Sequence, residues 1–297
     1  MRIFVTGATG FIGSAIVQDL IKAGHEVLGL ARNDAAAQAL VAAGAAVHRG
    51  SLEDLESLRQ GAAASDSVVH TAFNHDFSRY KDNCEDDRHV IEALGNALAG
   101  TDRPLVVTSG TAIVVQDRFA AEEDRPASAM HVPRAASEEA AAALAARGIN
   151  VSILRLPPSV HGDGDRGFVP ALIQVAREKG VAAYIADGAN RWPAVHRLDA
   201  ASAYRLILEK GEARPVFHAV HDEGVAFKAI ATVIGSQLNL PVVSISREQA
   251  AAHFGWLSMF AGLDVPATSV QTRAWLNWQP TQPGLLADLE HGTYFGK

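Results

Sequence analysis

Short apolar runs alternate with helix-like segments along the first half of the chain. Apolar runs bounded by polar or glycine positions predict buried strands, and the amphipathic or alanine-rich segments between them predict helices. We predict strands over residues 3–5, 26–31, 46–48, 67–73, 105–108 and 151–156. We predict helices over residues 14–23, 34–43, 82–99 and 133–147. Because strands that alternate with helices pair in parallel, we expect an α/β fold with a doubly wound parallel sheet.

The pattern becomes irregular after Pro158. Here we predict helices over residues 169–179, 199–209, 228–238, 247–254 and 271–276, and strands over residues 182–185, 216–220 and 242–245. This part is expected to be a smaller C-terminal substrate lid over the crevice of the sheet. The predicted domains are residues 1–156, with roughly 198–222 added, and a lid of residues 157–197 and 223–297.

All four tryptophans lie in the second half, at positions 192, 256, 275 and 278. Core packing is the expected role for any one of them, because tryptophan is buried on average. Trp192 is also predicted to contribute to the wall of the substrate site. Together with Phe168, Trp256 and Phe260, it suggests a small or apolar substrate.

A glycine-rich stretch, Gly7-Ala8-Thr9-Gly10-Phe11-Ile12-Gly13, joins the first predicted strand to the first predicted helix. Its glycines allow a tight turn, a close approach of the backbone to a pyrophosphate, and close packing of helix on sheet. The free N–H groups and the dipole of the helix start favour phosphate. We predict that Gly7, Thr9, Gly10, Phe11, Ile12 and Gly13 bind a nucleotide in a Rossmann-type domain. The alternative is a glycine-rich turn without a ligand, because the spacing is G-x-x-G-x-x-G and not G-x-G-x-x-G.

Arg32 stands at the end of the second predicted strand, where NAD-binding turns carry an acidic residue for the ribose hydroxyls. The planar fork of an arginine suits a 2′-phosphate. We therefore predict NADP as the cofactor and regard NAD as the less favoured one. The alternative is that Arg32 is a solvated charge at a strand end.

Ligands of doubly wound sheets bind at the carboxyl ends of the strands, so these ends should form one crevice. Ser51 follows the third strand and can line an adenine pocket, although Ser51-Leu52-Glu53-Asp54 also has the form of a helix N-cap. The residues predicted to bind the cofactor along this edge are Ser51, Leu52, Thr71, Ala72, Phe73, Thr108, Pro157 and Ser159.

Composition narrows the choice of partners. The chain has 297 residues, a formal net charge of -7 and one cysteine, Cys84. The acidic balance gives no reason to expect nucleic acid or an anionic membrane as a partner. A single cysteine excludes an internal disulfide and fits a reducing cytoplasm. We find neither a signal peptide nor an apolar run long enough to span a bilayer, so we expect a cytoplasmic protein that acts on a small molecule.

Taken together, these motifs resemble the extended short-chain dehydrogenase/reductases, also called NAD-dependent epimerase/dehydratases. The resemblance spans nearly the whole chain and implies a Rossmann-type fold, a nicotinamide cofactor and, by usual behaviour, a possible homodimer. It rests on residues 5–13, 50–54, 69–72, 107–109, 154–162 and 195–201.

One departure from the family pattern affects the chemistry. The resemblance implies a serine, here Ser109, followed by a tyrosine and a lysine four residues apart, but Arg134 and Glu138 occupy these two positions. No tyrosine of the chain precedes a lysine by four residues. We predict Ser109, Arg134 and Glu138 as the catalytic set: Ser109 would bind the substrate oxygen, Arg134 would stabilise an oxyanion and Glu138 would accept ribose hydroxyls. The alternatives are a strand-end hydroxyl for Ser109 and a surface i,i+4 ion pair for Arg134 and Glu138.

Arginine is a poor proton donor, since its pKa is above about 12. A substitute could be Tyr80, His75, His131 or His161, each of which could equally be a polar loop residue. His75 and Tyr80 follow the fourth strand and are predicted to contact substrate. His70, inside that strand, is expected to be a satisfied core histidine. Asp163 and Asp165 are expected to lie in a lid turn, and no metal-ligand spacing appears.

Three functions fit these observations. The first is an NADP(H)-dependent oxidoreductase that acts on a small carbonyl or alcohol substrate through a non-standard proton donor. The second is a sugar-nucleotide epimerase or dehydratase, although the lid shows no basic cluster for a diphosphate. The third is an NADP(H)-binding sensor or regulatory protein without turnover.

Overall fold

The computed structural model describes residues 1–114, 118–212 and 214–296, apart from the side chain of Phe77. Its centre is a parallel sheet of seven strands in the order β3-β2-β1-β4-β5-β6-β10. The strands of this sheet are β1 Arg2–Thr6, β2 Glu26–Ala31, β3 Ala46–Arg49, β4 Ser67–His70, β5 Leu105–Gly110, β6 Val151–Leu156 and β10 Val216–His218. The doubly wound Rossmann-type fold predicted from the sequence is therefore confirmed.

Helices cover both faces of this sheet. They are α1 Phe11–Lys22, α2 Asp34–Ala42, α3 Leu55–Ala63, α4 Tyr80–Ala97, α5 Ala136–Ala146 and α7 Arg197–Lys210. On one face, α1, α2 and α7 bury the strand residues Ile3, Val5, Val69, Val106 and Leu154. On the other face, hereafter the α4 face, α3, α4 and α5 bury Phe4, Val68, Val107 and Ile153. Successive side chains of a strand point to opposite faces, which is why neighbouring residues enter different cores.

A smaller part of the molecule follows β6. It holds a three-stranded sheet in the order β11-β9-β7 and a parallel pair of β12 and β8. Its strands are β7 Ser159–His161, β8 Ala182–Ile185, β9 Arg191–His196, β11 Asp222–Ala226 and β12 Val242–Ile245. Its helices are α6 Phe168–Lys179, α8 Phe227–Leu238, α9 Ala250–Phe254, α10 Ser258–Ala261 and α12 Leu285–His291, whereas α11 Val270–Leu276 packs against α7 and β10 of the large sheet. No helix in the described part of the chain has the length and apolar character needed to cross a membrane.

Several elements begin or end at other residues than the sequence predicts. The fourth strand ends at His70 and not at residue 73, because the N–H groups of Thr71 and Ala72 bond the Thr6 side chain instead of a neighbouring strand. The first helix begins at Phe11, directly after Gly10. The predicted cap at Ser51 is wrong: Asp54 caps α3 by accepting a bond from the Ser57 N–H.

The predicted ranges miss three strands, β7, β9 and β11, and three helices, α3, α10 and α12. β9 contains Pro193, and a proline ordinarily argues against a strand. β7 has only three residues, too few to show an alternation of apolar and polar positions.

Candidate active site

The glycine-rich turn between β1 and α1 has the geometry expected of a phosphate-binding loop. Gly7 has a φ of 67°, a left-handed conformation that favours glycine. A Cβ atom on Gly13 would lie 2.0 Å from the Gly7 carbonyl oxygen, so α1 packs against the turn more closely than any other residue allows. Thr9 and Gly10 are exposed at the carboxyl edge of the sheet.

The amino end of α1 is open to an anion. Gly10 is its N-cap residue and provides no side-chain cap, and the first turn contains no acidic residue. N–H groups at such an end have no partner within the helix, and the helix dipole adds a partial positive charge. The turn can therefore hold a phosphate or pyrophosphate.

At the end of β2, Arg32 is exposed and follows Ala31 directly. Its neighbour Asn33 caps α2 by accepting a bond from the Ala36 N–H, so the Asn33 side chain is already engaged. After β3, Ser51 hydrogen-bonds the Glu53 carboxylate and thereby lowers the pKa of Glu53, with a smaller contribution from the charge of Arg32. Leu52 packs against the core of the α4 face.

Four neighbouring strands end in polar residues on the α4 face. Thr6, His70, Ser109 and Arg155 follow the apolar core positions of β1, β4, β5 and β6 by strand alternation, and all four are buried. They form a polar layer above the apolar core, at the carboxyl ends of the strands.

His70 links the glycine-rich turn to helix α4. Its Nδ1 lies 2.7 Å from the Thr6 hydroxyl, and its Nε2 lies 2.9 Å from Oδ1 of Asp87. The Thr6 hydroxyl itself accepts bonds from the Thr71 and Ala72 N–H groups. Because the Thr6 hydroxyl accepts these two bonds, it donates its own hydrogen to Nδ1 of His70. The ring hydrogen of His70 is therefore on Nε2, which donates it to Asp87. The prediction that His70 is a satisfied core histidine is confirmed.

Arg134 is the next member of this network. It lies in a single 3-10 turn, Pro133–Ala135, and its Nη1 donates to Oδ2 of Asp87 at 2.8 Å. Its Nη2 donates to the Thr108 carbonyl at 3.0 Å, and Ser137 also bonds both Arg134 and Asp87. Burial would raise the pKa of Asp87, but the Arg134 charge and the bonds from His70 and Ser137 outweigh it and hold this pKa well below its usual value.

Glu138, four residues later, faces a different partner. Both of its carboxylate oxygens accept bonds from Arg155, at 2.8 and 2.7 Å, and both side chains are buried. Arg155 also donates to Nε2 of His218, whose Nδ1 donates to the Thr268 carbonyl. Burial, with the Arg155 charge, lowers the pKa of His218 to about 4. The alternative that Arg134 and Glu138 form a surface ion pair is wrong, because each is held by a separate partner.

Ser109 lies between these two networks. Its backbone pairs with Arg155, and its side chain is only 4% exposed. The Ser109 hydroxyl has no hydrogen-bond partner among the described residues. An unpaired buried hydroxyl is costly, so a ligand oxygen or nitrogen that reached this atom would gain a hydrogen bond and remove that cost. The side chain of Thr108 points to the opposite face, where its hydroxyl bonds the Tyr204 hydroxyl and the His70 carbonyl.

Two of the four candidate proton donors, His75 and Tyr80, pack beside Arg134 through the ring of Phe73. The Arg134 guanidinium lies 4.3 Å from the ring centroid of Phe73, and the rings of His75 and Tyr80 contact Phe73 edge-on. Burial raises the pKa of Tyr80 to about 12, and the Tyr80 hydroxyl bonds the Cys84 thiol. Burial and the Arg134 charge lower the pKa of His75.

The remaining predicted residues lie elsewhere. Trp192 is 1% exposed and packs between Phe168 and Phe227 in the core of the smaller part. This burial does not favour a contact between Trp192 and substrate, which stays a prediction. Pro157 is buried, and Ser159 has a buried hydroxyl without a partner among the described residues. His161 is buried against Asp288 at 2.7 Å, far along the chain from the Arg134 network.

Sequence reasoning missed Asp87 and Arg155, although both left a signal. Asp87 lies one turn before Val90 and Ile91 on the buried side of α4, and Arg155 interrupts the apolar run of β6. A charged residue on a buried stripe is rarely tolerated unless it is paired. The sequence alone could not identify the partners, which lie 47 and 17 residues away.

Comparison with known proteins agrees with this architecture. Residues 3–220 match the model of the NAD dependent epimerase/dehydratase family. An uncharacterized protein of Schizosaccharomyces pombe is 50% identical over 99% of this chain and 100% of its own length. The 4-hydroxy-2-methyl-3-oxo-4-farnesyl-3,4-dihydroquinoline-1-oxide ketoreductase of Stigmatella aurantiaca is 24% identical over 90% of this chain and 84% of its own.

Among solved structures, a dTDP-glucose 4,6-dehydratase (DesIV) of Streptomyces venezuelae with NAD bound superimposes with a TM-score of 0.77. It covers 99% of this chain and 96% of its own, at 21% identity, a likeness that concerns the fold. The resemblance seen in the sequence motifs is confirmed, and the chain belongs to the NAD dependent epimerase/dehydratase family.

Proposed function

We propose that this protein is an NADP(H)-dependent oxidoreductase that reduces a small carbonyl compound, or oxidises the corresponding alcohol, with a proton donor other than the usual tyrosine. The observation that carries the proposal is the Ser109 hydroxyl, which is buried without a hydrogen-bond partner among the described residues. It lies at the carboxyl end of β5, on the face that also holds Arg134. A substrate oxygen would satisfy this hydroxyl.

The residues present fit a nicotinamide nucleotide. The close contact of Gly13 with Gly7 and the uncapped start of α1 suit a pyrophosphate. The exposed Arg32 supports a 2′-phosphate, and with it NADP in preference to NAD. A bound nicotinamide would supply or accept the hydride.

The chain's own residues would orient and stabilise the substrate. Ser109 would hydrogen-bond the substrate oxygen, and the Arg134 guanidinium, held in place by Asp87, would stabilise negative charge as it develops there. Among the candidate donors, Tyr80 suits the reduction: with a pKa of about 12 it keeps its proton at neutral pH, and an alkoxide is basic enough to take it. His75, whose pKa is lowered, suits the acceptance of a proton in the oxidation.

The first test is a calorimetric titration with NADPH, NADP, NADH and NAD of the wild type and of Arg32→Ala. We expect NADPH and NADP to bind more tightly, and Arg32→Ala to lose roughly 10-fold or more of that preference, as expected for a charge-assisted contact to phosphate. Arg59→Ala removes a positive charge from the surface of α3 and serves as the control. A screen of carbonyl compounds with NADPH then follows, with Ser109→Ala as its control.

The outcomes separate the alternatives. If no nicotinamide nucleotide binds, the oxidoreductase and the sensor both fail. Tight binding without turnover on any carbonyl compound, together with a partner protein captured from a lysate, would favour the sensor. A homodimer and a cytoplasmic location stay predictions.

A further inference from the structure

Arg197, the first residue of α7, reaches across to the amino end of α1. Its guanidinium carbon lies 4.9 Å from the centroid of the Phe11 ring, and its Nη2 donates to the Ser14 hydroxyl at 3.3 Å. Phe11 and Ser14 both lie in the first turn of α1, directly after the glycine-rich turn. The guanidinium therefore borders the region where the uncapped N–H groups of α1 are exposed.

The charge of Arg197 forms no ion pair with any described residue. Arg205, further along α7, is by contrast paired with Asp19 and Glu209. In the part of the chain that the structure describes, Arg197 has no carboxylate within ion-pair distance, and its Nε is buried without a partner. Burial lowers the pKa of Arg197, and the more distant charge of Asp163 offsets this only in part.

The position is also unfavourable for a cation. The amino end of a helix carries a partial positive charge, and Arg197 stands beside the uncapped and acid-free amino end of α1. The amino end of α7 differs, because His196 caps it and Asp199 lies in its first turn. A positive side chain placed beside the amino end of α1 without a counter-ion is destabilising until an anion binds. The uncapped and acid-free amino end of α1 and the buried, unpaired guanidinium nitrogen of Arg197 thus favour the same ligand.

We infer that Arg197 binds the pyrophosphate of the nicotinamide nucleotide, an inference that rests on the proposed function. The guanidinium would pair with phosphate oxygens on one side, while the α1 N–H groups hold the other. The role differs from that of Arg32, which would select the 2′-phosphate and would not contact the diphosphate common to NAD and NADP.

The loop between β7 and α6 keeps Arg197 in this position. Nη1 of Arg197 donates to the Asp163 carbonyl at 2.7 Å. The carboxylate of Asp163 in turn accepts a bond from the Thr293 hydroxyl, and the Tyr294 hydroxyl accepts one from the Gly162 N–H. The C-terminal residues thereby fix the loop that orients the guanidinium.

The test is a calorimetric titration of wild type, Arg197→Gln and Arg197→Lys with NADPH, NADP, NADH and NAD, together with the thermal midpoint of each free protein. Arg197→Gln should weaken all four nucleotides by a similar factor, about 10- to 100-fold, and leave the preference for NADP forms unchanged. Arg197→Lys keeps the positive charge but not the planar guanidinium, and it should lose less nucleotide affinity than Arg197→Gln. Arg205→Gln, on the same helix, should bind as the wild type does.

A second readout distinguishes this role from a purely structural one. Because the cation is unpaired in the free protein, Arg197→Gln should keep or raise the thermal midpoint without nucleotide, and lose the increase that NADPH gives the wild type. If Arg197→Gln lowers the midpoint but Arg197→Gln and Arg197→Lys bind NADPH with wild-type affinity, the inference is overturned while the proposed function stands. If the wild type binds no nucleotide, the proposed function fails first.

Discussion

The Asp87 carboxylate lies 2.8 Å from Nη1 of Arg134, so a buried acid fixes the arginine that replaces the tyrosine expected from the family resemblance. The side chains are 2% and 14% exposed, respectively. An arginine held in this way presents a fixed positive charge at the carboxyl edge of the sheet. It could stabilise an oxyanion without transferring a proton, so in the proposed reaction the proton would come from another residue.

We expect Asp87→Asn to lower the free energy of unfolding by about 3 kcal/mol, because it leaves the Arg134 charge half-buried without its counter-ion. Urea unfolding at neutral pH measures this. Asp82→Asn, on an exposed position of the same helix, should change stability by less than about 0.5 kcal/mol. In the double variant Asp87→Asn with Arg134→Gln, part of the loss should be regained. Strictly additive effects of the two substitutions would contradict the buried pair.

His218 should make the stability of the protein depend on pH. Its pKa in the folded state is lowered to about 4, so the unfolded chain, with a usual value near 6.5, takes up the proton first as the pH falls. The contribution of His218 is therefore fully present above about pH 6.5 and decreases between there and pH 4. At 1.36 kcal/mol per unit, it amounts to at most about 3 kcal/mol.

Urea unfolding of His218→Gln between pH 4.5 and 7.5 tests this. The side-chain amide of the new glutamine can still accept a hydrogen bond from Arg155, but it does not titrate. The variant should therefore lose less stability than the wild type as the pH falls. His291→Gln alters an exposed histidine and should follow the wild-type curve. Parallel curves for wild type and His218→Gln would show that His218 does not carry this dependence.

The sequence predicted the backbone elements that surround the site, because these elements depend on local rules. The order of strand, glycine-rich turn and helix around Gly7 to Gly13 is set by steric limits that glycine alone satisfies, and the alternation of elements determines the sheet. The carboxyl-edge rule likewise placed Phe73 and Ser109 at the edge that carries the glycine-rich turn; in the structure Phe73 packs against Arg134 there, and Ser109 lies near the carboxyl end of β5.

The sequence could not predict which charges pair. Arg134 and Glu138 are one helical turn apart, which made a mutual pair plausible, but the fold provides Asp87 for one and Arg155 for the other. Arg197 was read only as part of a motif, because its position beside Phe11 depends on the packing of α7 against α1. Such contacts depend on tertiary structure and leave no periodic signal in the chain.

Gly13→Ala should damage both the fold and the nucleotide site. Its new Cβ would lie 2.0 Å from the Gly7 carbonyl oxygen, so α1 must move away from the turn. We expect a loss of roughly 1–3 kcal/mol in unfolding free energy and no rise in thermal midpoint with NADPH. Gly262→Ala, where the added atom meets its nearest neighbour at 3.5 Å, should be nearly neutral. A Gly13→Ala protein that NADPH stabilises as it does the wild type would exclude this turn as the phosphate site.

Ser109→Ala should separate activity from stability. Because the Ser109 hydroxyl is buried without a partner among the described residues, removing it should leave the free protein as stable as the wild type or slightly more stable. Turnover of a carbonyl substrate should fall by about 10- to 100-fold through the loss of one bond to the substrate oxygen, with NADPH affinity unchanged. The matched control is Ser67→Ala: the Ser67 hydroxyl is also buried and finds no partner in the described part of the chain, but it lies at the opposite, amino end of β4. Both variants should resist urea as the wild type does, and only Ser109→Ala should lose turnover; an equal loss in both, or in neither, would remove Ser109 from the reaction.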